Sequence, residues 1–194
     1  MGYLENYCSL MPLTKELIDT CKPFNCGDDE LDVFFNLDSP HYAIAMLSKS
    51  YCYVLDDDPE TIVCAFSLSN ESVRTDLLPN QRHKNFMKQF PHEKRMRRYP
   101  AVLIGRLGVN REFAHKGIGT ELMEFIKSWV TLPEYVTACR YLAVDALNNQ
   151  QTLSFYEKNG FHSFFKSEEQ EAEKVRLKLP LKTRYLYFDL INII

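Results

Sequence analysis

A near-continuous apolar run from Ala101 to Val109 limits the folds that this chain can adopt. Such a run is typical of a central strand that is covered on both faces. It is followed by an amphipathic helical pattern over Gly117–Val130 and by a second apolar run over Tyr141–Ala146. Strand, helix and strand in this order predict a β-α-β centre, and therefore an α/β or α+β domain with a mixed central sheet.

Shorter patterns before this centre predict two helices and a hairpin. Capping residues with apolar spacing indicate the helices, and β-rich runs around a turn cluster indicate the hairpin. The predicted elements are a helix from Thr14 to Cys21, a helix from Asp28 or Asp29 with Leu31, Phe34 and Phe35 on one face, and strands over Ser50–Leu55 and Thr61–Ser69.

Patterns after the centre predict one more helix and two strands. A short helix over Gln150–Asn159 is followed by Gly160, a typical residue just beyond a helix end. Strands are predicted over Phe161–Phe165 and Arg184–Leu190. The stretch between these strands contains an acidic run, made of Glu168, Glu169, Glu171 and Glu173.

Length and charge set the domain organisation. The 194 residues fit one domain, so we predict a single domain over 1–194 with a basic insertion at about 73–99. Within Gln81–Arg98, seven Lys or Arg residues stand against the single acid Glu93. The net charge of -3 gives no overall attraction to nucleic acid or anionic membranes, although this segment provides a local basic patch. A solvated face is the ordinary alternative for such a run.

The cysteine content and the N-terminal sequence indicate a compartment. The six cysteines include no CxxC pair, and we interpret them as reduced, buried thiols. Met1–Leu10 lacks a signal-peptide pattern, and no stretch approaches a membrane-spanning length. We therefore expect a cytoplasmic location and no membrane partner.

Glycines are concentrated between the apolar strand and the amphipathic helix. Four of the seven in the chain fall within fifteen residues, at Gly105, Gly108, Gly117 and Gly119. Free N–H groups at the helix start, the helix dipole and Lys116 together predict a site for a phosphate or pyrophosphate. Neither a Walker loop nor a GxGxxG fingerprint is present. The alternative is a tight loop that needs glycine only for its geometry.

Three segments carry a resemblance to the GNAT family of N-acetyltransferases. Ala114–Gly119 resembles its Gln/Arg-x-x-Gly-x-Gly/Ala signature, except that Ala114 replaces the Gln or Arg. Asn149–Phe161 is similar to its Asn-x-x-x-x-x-Phe-Tyr-Glu-Lys-x-Gly-Phe segment. Phe24–Gly27 together with Pro100–Val109 resembles the branch that includes toxins acetylating aminoacyl-tRNA.

The resemblance implies direct transfer of the acetyl group of acetyl-CoA, as a cosubstrate, to an amine. It implies that two neighbouring parallel strands splay apart and that the pantetheine chain lies between them. It also implies roles for individual residues. The implied cofactor-binding residues are Leu107, Val109, Lys116, Gly117, Ile118, Gly119, Thr120, Asn149 and Ser154.

Two residues are implied as catalytic. The Val109 N–H would stabilise the developing oxyanion, and the Tyr156 hydroxyl would protonate the leaving thiolate. The alternative for Tyr156 is packing without proton transfer. For Asn149 and Ser154 the alternatives are helix capping and a solvated face.

The general base is left open between Glu71, Asp145 and water. Glu71 follows a predicted strand and could be an ordinary loop carboxylate. Asp145 could instead pair with Arg106. The histidines show no metal-ligand spacing, so no metal is expected.

Three functions remain open at this point. The first is acetylation of a small amine, an amino acid or a peptide. The second is acetylation of the amino acid on charged tRNA, which the basic patch favours. The third is a non-catalytic module that binds acetyl-CoA, against which the intact Gly117–Gly119 and Tyr156 argue. A homodimer and an antitoxin partner are open as well.

Overall fold

The computed structural model describes residues 2–78 and 97–193. They fall into two compact units, of which the first comprises Met1–Ser69 and Ile104–Trp129 and the second Asn70–Leu103 and Val130–Ile194. Most of the predicted basic insertion, residues 79–96, lies outside the described residues. The single domain with a basic insertion therefore stays a prediction.

The described helices are short except for one. They are α1 (Tyr3–Tyr7), α2 (Lys15–Thr20), α3 (Asp29–Val33), α4 (Ser39–Ile44), α5 (Ile118–Val130), α6 (Gln150–Lys158) and α7 (Glu168–Val175). A π-helical turn over Phe34–Asp38 joins α3 to α4. Helices α1, α4 and α7 were not predicted from the sequence.

Seven strands form one mixed sheet. They are β1 (Cys8–Pro12), β2 (Lys49–Leu55), β3 (Ile62–Arg74), β4 (Arg98–Val109), β5 (Tyr141–Leu147), β6 (His162–Ser163) and β7 (Thr183–Asp189). Their order is β1-β2-β3-β4-β5-β7-β6, and β4 pairs with β5 in parallel. The predicted mixed sheet with flanking helices is thus confirmed.

The first unit begins with the predicted capped helices. The Thr14 hydroxyl accepts the Leu17 N–H at 3.3 Å, and Asp28 accepts the N–H groups of Glu30 and Leu31. The predicted apolar face is confirmed, because Phe34 and Phe35 belong to the buried core.

Helix α5 also belongs to the first unit, apart from its last residue. Its apolar face buries Ile118, Leu122 and Ile126, as the helical spacing predicts. Lys127 is an exception to the amphipathic pattern, because it is charged but only 4% exposed. Its Nζ donates to the Glu124 carboxylate at 2.6 Å, which offsets part of the cost of burying the charge.

The second unit contains the parallel pair. Its register joins Ala101–Leu103 to Tyr141–Ala143, while β4 continues to Val109 and β5 continues to Leu147. A parallel ladder of three residues in strands of this length agrees with the splay that the family resemblance implies.

The C-terminal part of the second unit differs most from the prediction. The strand predicted over Phe161–Phe165 is limited to β6, because Phe161, Phe164 and Phe165 are all buried and do not alternate between core and solvent. The acidic run forms α7, whose N-cap Ser167 accepts the Gln170 N–H at 3.3 Å. Acidic side chains in a first helical turn interact favourably with the helix dipole.

All six cysteines are free thiols, and Cys8, Cys52 and Cys64 are buried. Within residues 2–78 and 97–193, the helices are all too short or too polar to cross a membrane.

Candidate active site

The end of β4 in the first unit leads into the glycine loop. Asn110 fixes this junction, since its N–H donates to the Val63 carbonyl at 2.9 Å and its Nδ2 donates to the Ile62 carbonyl at 3.0 Å. Its Oδ1 accepts the Glu112 N–H at 3.2 Å and so caps the 3-10 turn Arg111–Phe113. The loop therefore starts from a fixed position on the sheet.

The loop turns back through two left-handed residues. His115 has φ 59° and Gly117 has φ 83°, and a Cβ on Gly117 would meet nothing within 4 Å. The first helical turn is closed by the N–H groups of Thr120 and Glu121, which both donate to the Gly117 carbonyl at 3.1 Å. His115 is exposed, as expected from the sequence.

Four successive N–H groups in this loop are free to bind a ligand. They belong to Lys116, Gly117, Ile118 and Gly119, and no described residue accepts a hydrogen bond from them. Unpaired N–H groups at the start of a helix of thirteen residues form an anion-binding site, because the helix dipole adds to the partial charge on each N–H. We call these four groups the amide cluster.

The Lys116 ammonium stays close to the loop. Its Nζ donates to the Glu112 carbonyl at 2.8 Å and lies 5.2 Å from the centre of the Phe113 ring. These contacts place the ammonium against the preceding 3-10 turn, in the segment that leads into the amide cluster.

Strand β4 leads to this loop through Leu107 and Val109, which are both half-buried. Between them, Gly108 is tightly packed, because a Cβ would lie 3.2 Å from the side chains of both Phe24 and Cys26, which would have to shift slightly. This geometry does not test the pantetheine contacts of Leu107 and Val109, which stay predictions. The oxyanion role of Val109 also stays a prediction.

Arg106 lies over aromatic rings of the first unit. Its guanidinium lies 3.8 Å from the centre of the Phe34 ring and 5.2 Å from that of Tyr42. A cation over aromatic rings is stabilised by their negative faces. The pairing with Asp145, an alternative drawn from the sequence, would join the two units and stays a prediction.

Tyr156 lies in α6, in the second unit. It is 7% exposed and packs against the rings of Phe155 and Phe161, with centroid distances of 5.2 and 5.4 Å. Burial raises the pKa of Tyr156 to about 12. The phenol is therefore protonated at neutral pH, as a proton donor must be. Its aromatic packing also agrees with the alternative, in which Tyr156 packs without transferring a proton.

The other two residues implied in α6 have partners of their own. The Asn149 Oδ1 accepts the Thr152 N–H at 2.8 Å and so caps α6. The Ser154 Oγ accepts a hydrogen bond from the Gln150 Nε2 at 2.9 Å. The capping alternative for Asn149 is confirmed, while contacts of either residue with CoA stay predictions.

A cavity of about 510 Å³ lies within the second unit. It brings together the two carboxylates that were considered as general bases, Glu71 and Asp145. Glu71 was expected in a loop after a strand, and this is wrong because β3 continues through it to Arg74. Sequence patterns missed the extension, since Ser69-Asn70-Glu71 resembles a turn.

Asp145 and Tyr185 are opposite each other in the register of β5 and β7, and both line the cavity. The Asp145 side chain is exposed to the cavity, but the surrounding walls desolvate it enough to raise its pKa, and the nearby charges of Glu71 and Glu171 add to this rise. The pKa of Tyr185 is raised by burial and then by the charges of Glu71 and Asp145. The charges that raise these two pKa values are negative, although Arg74, Lys178 and Lys182 also line the cavity.

Helix α7 provides part of the cavity wall and is held by two carboxylates. Glu171 is 4% exposed, and its two oxygens accept the Arg184 Nε and the Tyr185 N–H, each at 2.7 Å. The Glu168 carboxylate accepts the Leu181 N–H at 2.6 Å. Sequence reasoning missed these contacts, because an acidic run gives no sign that one of its members is buried.

The part of the chain that the structure describes contains no group of three or more His, Cys, Asp or Glu residues that could hold a metal ion.

The family of the chain follows from comparison with known proteins. Residues 48–163 match the family model described as an acetyltransferase (GNAT) domain. The chain therefore belongs to the GNAT acetyltransferases, and it is an acyltransferase. The resemblance found in the sequence is confirmed. Among curated proteins, no sequence matches the chain.

Solved structures with the same fold include bacterial toxins. AtaT complexed with acetyl-methionyl-tRNAfMet has a TM-score of 0.70 at 19% identity, over 96% of this chain and 96% of that chain. A point mutant of KacT has a TM-score of 0.66 at 16% identity, over 97% and 98%. AtaTR bound with acetyl-CoA has a TM-score of 0.65 at 18% identity, over 97% and 96%. These similarities concern the fold.

Proposed function

We propose that this chain is an acetyl-CoA-dependent N-acetyltransferase that acts on a small amine, an amino acid or a peptide amine. The amide cluster is the observation that carries the proposal. Four free N–H groups at a helix start beside Lys116 suit the pyrophosphate of CoA. The acetyl-CoA bound to the neighbour AtaTR supports the same ligand for this fold.

The cosubstrate supplies the acetyl group as a thioester, and the amine nitrogen forms the new C–N bond as the C–S bond breaks. The residues of the chain bind, orient and move protons. Val109 offers its N–H to the carbonyl oxygen as negative charge develops there. Tyr156 keeps a proton on its hydroxyl for the departing sulfur. Glu71, Asp145 or water takes the proton that the amine loses.

The cavity of the second unit supports a small acceptor. Its volume of about 510 Å³ falls within the range of small-molecule sites, roughly 300–1,000 Å³. The carboxylates of Glu71 and Asp145 can accept hydrogen bonds from an ammonium group, and amines are cationic at neutral pH before they react.

A thermal-shift experiment tests the cofactor site. Acetyl-CoA should raise Tm by mass action, as a ligand that binds one site of the folded protein. Gly119→Glu should abolish this shift, because it adds a side chain and a negative charge beside the amide cluster. Thr137→Glu adds the same charge at an exposed position and should keep the shift. A folded Gly119→Glu protein that is stabilised as fully as the wild type would mean that the site is elsewhere.

A thiol-release assay on the wild-type protein distinguishes an enzyme from a binding module. An enzyme releases CoA thiol when an acceptor amine is added, whereas a module is stabilised by acetyl-CoA and releases none. Thiol release against a panel of amines therefore decides between these two functions.

Charged tRNA is the second candidate acceptor. The similarity to AtaT, which is solved with acetyl-methionyl-tRNAfMet, favours it. Arg97 and Arg98 are exposed at the start of β4, whereas the other basic residues of Gln81–Arg98 lie outside the described residues. A homodimer, and an antitoxin such as the AtaR segment bound to AtaT in another neighbour, stay predictions.

The double change Arg97→Gln and Arg98→Gln tests this candidate. If both arginines contact phosphates, the KM for charged tRNA should rise and the slope of its salt dependence should fall by about 2. The KM for acetyl-CoA should not change. Lys15→Gln removes one positive charge at an exposed position on α2 and serves as the control. We expect the small-amine outcome, in which the double change has little effect on turnover. Salt-dependent tRNA binding that disappears in the double variant would contradict this expectation.

A further inference from the structure

Helix α1 contacts the glycine loop at both of its ends. The Tyr3 ring packs against the Phe113 ring, just before the loop, with the centroids 6.0 Å apart. The Tyr3 N–H donates to the Glu121 carboxylate, just after the loop, at 2.8 Å. All three residues belong to the first unit. One residue of α1 therefore connects the two ends of the segment that carries the amide cluster, and we call this pair of contacts the Tyr3 bridge.

The Glu121 carboxylate depends on α1 for its hydrogen bonds. One oxygen accepts the Tyr3 N–H, and the other accepts the N–H groups of Leu4 at 2.7 Å and Glu5 at 3.4 Å. Within residues 2–78 and 97–193, the donors to this carboxylate all belong to α1. Glu121 is half-buried, and a partly desolvated carboxylate needs such donors to offset the cost of its charge. The position of this side chain is therefore coupled to the docking of α1.

Packing and close approach hold α1 against the rest of the first unit. Leu4 is 2% exposed, so its burial favours the docked helix. Gly2 directly precedes the helix, and a Cβ at this position would clash with the Glu121 carboxylate. The start of α1 reaches the carboxylate this closely because Gly2 has no side chain. The Tyr3 bridge thus has a defined position.

The glycine loop has few backbone hydrogen bonds of its own. The Ala114 N–H donates to the Arg111 carbonyl at 3.2 Å. After it, the next N–H groups with a described backbone acceptor are those of Thr120 and Glu121. A loop without internal hydrogen bonds must be ordered when a ligand binds, and this ordering costs free energy. A contact that fixes the distance between the two loop ends reduces that cost before the ligand arrives.

We propose that the Tyr3 bridge positions the amide cluster for acetyl-CoA, and that Tyr3 and Glu121 are positioning residues for this cosubstrate. The proposal rests on the proposed function and adds a second contribution to its cofactor site. Both residues act through the loop and not on the reacting atoms. Because binding equilibria are linked, acetyl-CoA strengthens the docking of α1 by the same factor by which the bridge strengthens acetyl-CoA binding.

Two substitutions break the bridge at different contacts. Glu121→Gln replaces one accepting oxygen by an NH₂ group, and Tyr3→Ala removes the ring that packs on Phe113. Each should raise the Kd and the KM for acetyl-CoA by about 3- to 10-fold. The kcat at saturating acetyl-CoA should not change, which a general loss of structure would not produce. The double variant should bind no more weakly than the weaker single variant, because both changes break the same bridge.

The direction of the Glu121→Gln effect separates the bridge from a simple effect of charge. Loss of a negative charge close to an anion site would by itself strengthen the binding of an anionic ligand. The bridge predicts weaker binding instead. Glu5→Gln is the matched control, because it removes an exposed carboxylate of α1 and keeps every backbone donor. It should bind acetyl-CoA as the wild type does.

Hydrogen exchange of the wild-type protein tests the linkage without any substitution. Saturating acetyl-CoA should slow exchange of the Tyr3 and Leu4 amides by about 3- to 10-fold, the factor by which the bridge strengthens binding. The amide of Cys21, which donates to the Leu17 carbonyl at the end of α2, is the internal control and should exchange at the same rate. This measurement decides the question if either variant does not fold.

The outcomes separate the bridge from the proposed function. An unchanged Kd in both folded variants, tighter binding by Glu121→Gln, or equal exchange of the α1 amides with and without acetyl-CoA would overturn the bridge. In each of these cases, stabilisation of the wild type by acetyl-CoA would leave the proposed function intact. A wild-type protein that acetyl-CoA does not stabilise, and that releases no CoA thiol, would overturn the proposed function itself.

Discussion

Two glycines with almost the same φ angle allow a test of the amide cluster. Gly117 has φ 83° and Gly160 has φ 79°. A Cβ at Gly117 would meet nothing within 4 Å, whereas a Cβ at Gly160 would lie 3.0 Å from the Phe188 ring. Replacement of each by alanine therefore separates the backbone cost from the packing cost.

The expected losses differ by the packing cost. A left-handed alanine costs about 1–2 kcal/mol, and the lower entropy of the unfolded chain returns roughly 0.4–1 kcal/mol. Gly117→Ala should therefore lower the free energy of unfolding by about 1 kcal/mol. Gly160→Ala should cost about 1 kcal/mol or more in addition, because the buried Phe188 ring must move.

Urea titrations with and without acetyl-CoA measure both effects. At a ligand concentration of about 100 times Kd, the wild type should gain about 2.7 kcal/mol. If a methyl group at Gly117 weakens binding about tenfold, this gain falls to roughly 1.4 kcal/mol. Gly160→Ala should keep the full gain. Equal losses of stability in the two variants would contradict the packing cost at Gly160. A full ligand gain in Gly117→Ala would refute the assignment of the amide cluster.

Two further predictions concern titratable groups in the second unit. Tyr156→Phe should keep the acetyl-CoA shift and lower kcat by about 10²–10⁴-fold, the span typical of a positioned proton donor, and a near-normal kcat would reduce Tyr156 to packing. Because the pKa of Tyr156 is raised to about 12, its donor form should persist at alkaline pH. Folding raises the pKa of Asp145, so the folded protein favours the protonated carboxyl. The contribution of this group to the free energy of unfolding is therefore present at low pH and is lost as pH rises through the folded pKa. Asp145→Asn should therefore raise Tm at neutral pH, with the difference vanishing below about pH 4, and equal Tm values at pH 7 would contradict this.

Local patterns were sufficient to predict the loop that carries the amide cluster. The apolar run before Val109, the glycines at 117 and 119, and the helical spacing from Ile118 all act over a few residues. A strand, a tight loop and an amphipathic helix follow from backbone conformation and burial alone. The structure accordingly places the loop and α5 where the sequence predicts them.

The cavity of the second unit could not be predicted in the same way. Glu71 and Asp145 are 74 positions apart in sequence, and only the strand order brings both into one cavity. Helix α7 was missed for a related reason. A buried Glu171 is favourable only with Arg184 and the Tyr185 N–H as partners, and neither partner leaves a local pattern in the acidic run.

The anchoring of α7 has a consequence for how such an enzyme could change over generations. Glu168 and Glu171 bind backbone groups at Leu181 and Tyr185, so the contacts that hold the helix lie outside the segment between Arg176 and Pro180. Within that segment Leu177 and Leu179 are exposed, and Leu177 lines the cavity. Substitutions there alter the walls without removing the anchors, so the lining of the cavity can diverge by drift at a few exposed positions. If the cavity holds the acceptor, a laboratory selection for a different amine should find its first changes at Leu177 and Lys178.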